Sequence, residues 1–241
     1  MPAVSKLEGR TIAIAGAGGG LGPVVARRLA DEGASLALTD VDSGRLGALV
    51  SDLGLPDDRV DARVVDLLDG DAAAAWCAAL NERFGGIDGL IHLVGGWKGG
   101  DPLTTTPLDD YEWLHDLLVR SVQHATRAFH DALAASDHGR FVIVSSSQAQ
   151  APDGTNASYA ATKAAAETWT LALADSFRKA ESAATANVVV VNAILTPQMR
   201  EASPDKPFKI FTPAEHIAEA IAFICSDEAA KMNGKRLELY S

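Results

Sequence analysis

The chain is poor in the residues that cross-link proteins, bind metals or span membranes. Two cysteines, Cys77 and Cys225, occur in 241 residues, without metal-ligand or redox spacing. They are expected to be reduced packing residues, which leaves no disulfide framework. The six histidines (His92, His115, His124, His130, His138 and His216) form no H-E-x-x-H or similar cluster, so no metal site is expected. No run approaches the length of a membrane span, and MPAVSKLEGR lacks the apolar core of a signal peptide. Positive charge is also short: 21 Lys and Arg against 32 Asp and Glu leave a net charge of −11. That balance argues against nucleic acid or an anionic membrane as a partner, although local amides can still hold an anionic ligand. Pro/Ser-rich linkers, internal repeats and low-complexity tracts are missing too. The expectation is a cytoplasmic protein with a single domain over residues 1–241, long enough to bury a sizeable core.

What is present is a strict alternation of short apolar runs and helical patterns. Strands are expected near 11–15, 35–39, 61–65, 88–94, 140–145, 187–194 and 236–239. Helices fill the gaps, the longest near 109–135 and 156–181. This pattern predicts an α/β fold: a Rossmann-like, doubly wound domain whose mostly parallel seven-stranded sheet is flanked by helices. Active chemistry then belongs beyond the carboxyl ends of the strands, where Gly16, Asp40, Gly95, Ser146 and Thr196 all fall.

The first strand runs into AGAGGGLG, with glycines at Gly16, Gly20 and Gly22 and two more at Gly18 and Gly19. Leu21 stands where G-x-G-x-x-G would place its third glycine, so the register is G-x-x-x-G-x-G. Glycines let the backbone turn tightly against a pyrophosphate, and the following helix presents free N–H groups and a positive dipole end. The second strand ends in Asp40, eighteen residues past Gly22. A carboxylate there accepts hydrogen bonds from an adenosine ribose and repels a 2′-phosphate. No basic residue stands at Val41, Asp42 or Ser43, so NAD is expected over NADP. The competing reading is that Asp40 only caps the turn before the next helix. Asp66, with Leu67 beside it, closes the third strand and is a candidate partner for the adenine amino group.

Farther on, FVIVSSSQAQAPDGTNASYAATKAAAETW carries Ser146, Tyr159 and Lys163. Tyr159 and Lys163 are four residues apart in a helical stretch and so share one face. A phenol with a pKa of about 10 is a poor acid or base near neutrality. An adjacent ammonium is expected to lower that value, and a strand-end serine can face the reacting oxygen. This is a minimal kit for acid–base catalysis of hydride transfer.

With these pieces the chain resembles the short-chain dehydrogenase/reductase family over essentially its whole length. The resemblance rests on AGAGGGLG, Asp40, Asp66, IDGLIHLVGG, Ser146, Tyr159, Lys163 and VVVVNAILTP. The thirteen-residue spacing to Tyr159 selects Ser146 over Ser145 and Ser147. The resemblance implies Tyr159 as general acid/base, Ser146 orienting the substrate oxygen, and Lys163 binding the nicotinamide ribose and tuning Tyr159. It implies cofactor contacts at Gly16, Gly20, Leu21, Gly22, Asp40, Asp66, Leu67, Gly95, Tyr159, Lys163 and Thr196. It also implies a homodimer or homotetramer built on the 109–135 and 156–181 helices. Tyr111, Trp113, Leu114, Leu117, Leu118, Val122 and Phe129 in the first of these read mostly as core packing.

Departures from the family pattern are informative. His92-Leu93-Val94-Gly95 replaces Asn-Asn-Ala-Gly, and the 109–135 helix has no relay asparagine, Leu118 aligning nearest to it. Leu195-Thr196-Pro197 replaces Pro-Gly. His92 is expected to be incidental, its neighbours' backbone making any cofactor contact. GGWKGG (Gly95 to Gly100) and the short polar lid near 198–212 resemble dihydropteridine reductases. There Trp97 either stacks on a flat substrate or merely covers the cofactor. Three functions follow: an NAD(H)-dependent oxidoreductase on a small carbonyl or alcohol, a dihydropteridine-reductase-like enzyme using NADH, or a non-catalytic dinucleotide-binding sensor.

Overall fold

Each of the first strands is buried on both faces, which explains why it reads as an unbroken apolar run. β1 (Thr11–Ala15) is buried along its whole length, and β2 (Ser35–Asp40) along all but its ends. The computed structural model describes residues 5–240; the outermost residues of the expected 1–241 domain lie outside the described residues. With β3 (Val60–Val64), β4 (Gly89–His92), β5 (Arg140–Ser146), β6 (Thr185–Val191) and β9 (Arg236–Glu238), β1 and β2 form a seven-stranded sheet. Its order is β3-β2-β1-β4-β5-β6-β9, and every ladder is parallel. The order reverses between β1 and β4, and that crevice is where a doubly wound sheet accepts a ligand.

Strand alternation sorts the core into two layers. Ile12 and Ile14 face α1 (Gly22–Asp31), α2 (Ser43–Leu53) and α8 (Ala214–Cys225). Ala13, Ala15 and Ala37 face the other way, toward α3 (Gly70–Phe84), α5 (Ser121–Ala135) and α6 (Ala157–Lys179). Their small side chains leave room there for Trp76, Phe129 and Phe177, with the Trp76 and Phe129 rings 4.9 Å apart. Helix ends are set locally. Asp42 accepts from the Arg45 amide and Asp69 from those of Asp71 and Ala72, while Gly54 and Gly85 close α2 and α3 in the left-handed conformation.

Three expectations change. The strand expected over 187–194 ends at Val191; Ala193–Leu195 (β7) leaves the sheet and pairs in parallel with Phe211–Pro213 (β8). The lid expected near 198–212 accordingly holds a short helix, α7 (Pro197–Ala202), and that strand. The helix expected near 109–135 is α4 (Leu108–His115) joined to α5 through a π-turn over Asp116–Arg120. There the Ser121 amide reaches back to the Asp116 carbonyl, and the Ser121 hydroxyl takes the freed Leu117 carbonyl at 2.6 Å. Leu114, Leu118, Val122 and Phe129 are core as expected, but Tyr111 and Trp113 are exposed.

The last strand is tied to the α6 layer by an ion pair between the partly buried Arg236 and the buried Glu167, Nε to Oε2 at 2.8 Å, and Arg236 also reaches Glu238 at 3.0 Å. Removing one member of such a pair leaves the other charge desolvated. Arg236→Ala, which leaves the buried Glu167 without its partner, is therefore expected to destabilise the fold by about 3–5 kcal/mol in urea unfolding. The double substitution Glu167→Leu/Arg236→Met should recover most of that loss.

Candidate active site

The glycine turn is shaped by close approaches that no side chain would permit. Gly16 has φ +77°, and a Cβ there would lie 2.7 Å from the Val94 amide nitrogen across the β1–β4 crevice. A Cβ on Gly22 would lie 2.1 Å from the Ala17 carbonyl oxygen. Gly20 is open on one side and meets the Thr196 methyl on the other, where a Cβ would be 3.0 Å away. Leu21 is buried beneath the turn at the N-cap position of α1. The first turn of α1 carries no acidic residue and no side-chain cap, so its positive dipole end is open to an anion, although the Gly22 amide already donates to the Gly19 carbonyl at 3.1 Å and Pro23 has no N–H. These features fit the pyrophosphate of a dinucleotide.

Beside the turn lies a cleft of about 530 Å³. Gly16, Asp40, Asp66, Leu67 and Gly95 line it, whereas Gly20, Leu21, Gly22, Thr196, Ser146, Tyr159 and Lys163 lie outside that lining. Asp40 bridges two segments: Oδ2 accepts from the Gly18 amide at 2.9 Å and Oδ1 from the Asp42 amide at 3.0 Å. The reading of Asp40 as a turn residue thus holds alongside its place on the cleft. β3 stops two residues short of Asp66, which is exposed and accepts from the Leu68 amide at 2.9 Å. Two features escaped the sequence reading. Arg45, on the first turn of α2, lines the same rim as Asp40, and the π-turn brings Leu117 and Ser121 into the cleft wall. The three-residue offset from Asp42 could have flagged Arg45; no break in residue type marked the π-turn.

Ser146 ends β5, almost wholly buried, and Tyr159 and Lys163 face it from the first turns of α6. Burial pushes the Tyr159 phenol up, and the Ser146 hydroxyl acts in the opposite sense. The expected lowering by Lys163 is absent. Its Nζ donates to the Val144 carbonyl at 2.8 Å and lies 5.8 Å from the Tyr159 ring centroid. Desolvation also brings Lys163 itself down to about 8, against an upward pull from Glu167 one turn on. The phenol is consequently held protonated, the form that donates.

His92 is buried at the end of β4, outside the cleft lining. Desolvation first, and the Lys163 charge second, lower it to about 3, so the ring is neutral near pH 7. Leu93, Val94 and Gly95 instead supply the backbone that faces the cleft.

The segment GGWKGG uses its glycines for contact. A Cβ on Gly96 would lie 2.6 Å from the Trp113 ring, and one on Gly99 would lie 2.3 Å from Asn156 Oδ1. Trp97 is 58% exposed, and its Nε1 donates to Asn156 Oδ1 at 3.2 Å. The Gly100 amide donates to the Thr155 carbonyl at 2.8 Å. The loop is therefore stitched to the segment immediately before Tyr159. On the other side, Thr196 caps α7 by accepting from the Met199 amide at 3.3 Å. The lid is anchored by the buried Phe208, whose ring lies beneath Arg200 and Lys206 and edge-on to Phe211. Among the described residues, no helix is long and apolar enough to cross a membrane, and no group of three or more His, Cys, Asp or Glu could hold a metal ion. Cys77 and Cys225 are free and buried, with pKa values pushed up to about 11 and about 12.

A family profile described as Enoyl-(Acyl carrier protein) reductase matches residues 16–239. Oxidoreductase UcpA of Escherichia coli strain K12 is 30% identical over 248 residues, covering 96% of this chain and 93% of its own. A short-chain dehydrogenase/reductase, glucose/ribitol dehydrogenase, from Brucella melitensis shares 30% identity and a TM-score of 0.82 over 97% of this chain and 96% of its own. A short chain dehydrogenase from Burkholderia cenocepacia, solved in complex with NADP, shares 27% identity and a TM-score of 0.83, each chain covered to 98%. The chain belongs to the short-chain dehydrogenase/reductase family of oxidoreductases, which bind a nicotinamide dinucleotide.

The buried imidazole sets an acid limit on stability. As pH falls below 6.5, the unfolded chain takes up a proton at His92 that the folded chain refuses until about pH 3. Its contribution is complete above 6.5 and is lost progressively below it. Between about pH 6 and 5, above the range of the shifted carboxylates, this group adds a slope of about 1.4 kcal/mol per pH unit. Urea unfolding of His92→Gln should lack that component.

Proposed function

We propose that this chain is an NAD(H)-dependent oxidoreductase, acting as one catalytic domain, that interconverts a carbonyl and an alcohol with Tyr159 as general acid/base. The observation that carries the reading is the convergence of a protonated, buried phenol, the Ser146 hydroxyl and the Lys163 amine beside the glycine-lined crevice. In the reductive direction Tyr159 gives its proton to the substrate oxygen while the Ser146 hydroxyl hydrogen-bonds that oxygen. The bound dinucleotide supplies the hydride to the carbon, or takes it in reverse. Gly16, Gly20, Leu21 and Gly22 surround its pyrophosphate, Asp40 holds the adenosine ribose, and Asp66 and Leu67 border the adenine. Gly95, Thr196, Tyr159 and Lys163 hold the nicotinamide end.

Asp40 supports NAD over NADP, because a 2′-phosphate would meet its carboxylate at the cleft rim. Arg45 on the same rim tempers that preference, and the NADP-bound Burkholderia relative belongs to the same family. A second reading, a dihydropteridine-reductase-like activity, is favoured by the exposed Trp97 ring pinned three residues before Tyr159, since such a ring can stack on a flat heteroaromatic. A homodimer or homotetramer through α5 and α6 is supported by the groove between them, lined by His130, Trp169 and Leu173.

The test is NADH oxidation across carbonyls and a quinonoid dihydropterin. Tyr159→Phe is expected to lower turnover by about 10²–10⁴-fold while retaining NADH binding. NADH binding without turnover on every substrate would instead support the sensor reading. In parallel, Asp40→Ser should raise the NADPH-to-NADH ratio of kcat/KM by about tenfold or more. An unchanged ratio would remove Asp40 as the discriminator.

A further inference from the structure

One buried polar group has no part in the reaction proposed above. His92 sits on β4 between Ala15 of β1 and Ile143 of β5. Like Leu90 two residues earlier, it faces the α5–α6 layer, since side chains on a strand repeat every second residue. It is 3% exposed, and its Nε2 has no hydrogen-bond partner among the described residues. The ring also interacts with the main chain of Ser121 and with its own, each favouring the protonated form. A hydrogen bond of that sign runs from a ring N–H to a carbonyl. With Nε2 unpartnered, the tautomer that carries its proton on Nδ1 leaves Nε2 as a lone-pair acceptor. The neighbouring backbone carbonyl of Val144, one residue beyond Ile143, receives the Lys163 ammonium at 2.8 Å.

We infer that His92 is a positioning residue for Lys163: its imidazole, placed beside the π-turn, offers Nε2 as a second acceptor to the ammonium across one water. An acceptor favours the charged amine and opposes the desolvation that draws it down. Such an arrangement ties the amine to β4 and α5 as well as to β5 and α6. Few other charges bear on the ring. α6 presents Lys163, with Tyr159 and Glu167 one turn to either side; α5 presents Ser121, with His124 engaged by the Leu67 carbonyl; β1 and β5 present Ala15 and Ile143. An unpaired imidazole in this place has a cost unless Nε2 finds a donor, and Lys163 is the nearby cation that the ring's titration senses.

This inference rests on Lys163 being part of the proposed catalytic set, but its test requires no turnover. Lysine labelled with ¹³C at Cε reports the Lys163 titration by NMR in the protein without added nucleotide, the signal being assigned by its loss in Lys163→Arg. The wild-type inflection should fall near pH 8. In His92→Leu it should move down by about one pH unit, and His92→Gln, which keeps an acceptor, should restore it to within a few tenths. Should His92→Leu not fold, His92→Phe keeps a ring without the acceptor and gives the same comparison. A Lys163 titration that is unmoved or raised without the imidazole would overturn the inference. Failure of Tyr159→Phe to impair turnover would overturn the catalytic reading instead, leaving the lysine titration to stand on its own.

Discussion

The arrangement depends first on how closely β1 and β4 approach at their carboxyl ends. Gly16 turns with φ +77°, with the Val94 amide where a side chain would begin. Any other residue there would force the crevice apart or the turn out of its left-handed conformation. With the crevice fixed, the strand order places the ends of β2 and β4 on either side of β1, with β5 next to β4. Asp40 then reaches the Gly18 amide, and the loop after Gly95 can reach α6. The glycine turn thus sets the frame on which the cleft, the Asp40 bridge and the wall carrying Ser146, Tyr159 and Lys163 are mounted.

Within that frame desolvation is the dominant force on the titrating groups. It holds the Tyr159 phenol protonated, brings Lys163 toward neutrality and strips His92 of charge. Two of these shifts oppose what pairwise attraction alone would give: an ammonium beside a phenol should lower it, yet Tyr159 goes up. Geometry explains the difference, because Lys163 directs its proton to the β5 backbone rather than to the phenol. The Glu167–Arg236 pair provides a local counterweight. Glu167 raises Lys163 from one turn away while Arg236 holds that carboxylate from the last strand. The amine at the site is therefore linked to the edge of the sheet.

Much of this was legible in the chain. Fully buried parallel strands leave continuous apolar runs, so β1, β2 and β5 stood out, as did the glycine register and the spacing from Ser146 through Tyr159 to Lys163. The losses have physical causes. Val191 and Ala193 belong to different sheets, but both carry apolar side chains, so the single polar Asn192 between them did not mark the departure. The π-turn shifts the hydrogen-bond pattern by one residue without changing the residue types that fill it; only Ser121, taking over the Leu117 carbonyl, betrays it. Arg45 was missed because the helical turn after Asp42 folds back toward the cleft. Tyr111 and Trp113 looked like core because helical spacing cannot say which face meets solvent.

The segment most distinctive in sequence also has the most specific packing. Glycines in GGWKGG read as freedom, yet Gly96 and Gly99 are places where Trp113 and Asn156 press against the backbone. Trp97 is held by its indole nitrogen, and Lys98 pairs with Asp110 at 2.7 Å while its ammonium sits 4.9 Å from the centre of the Trp113 ring. On the opposite side the lid hangs from Phe208, in an uncommon left-handed backbone conformation with φ +42°. Such a conformation persists when its surroundings hold it, and here Arg200, Lys206 and Phe211 enclose the ring. Loop and lid are thus held by contacts that do not involve the side chains of Ser146, Tyr159 or Lys163. On the proposed reading, the loop and the lid are therefore where substrate choice could change while the Ser146, Tyr159 and Lys163 geometry stays as it is.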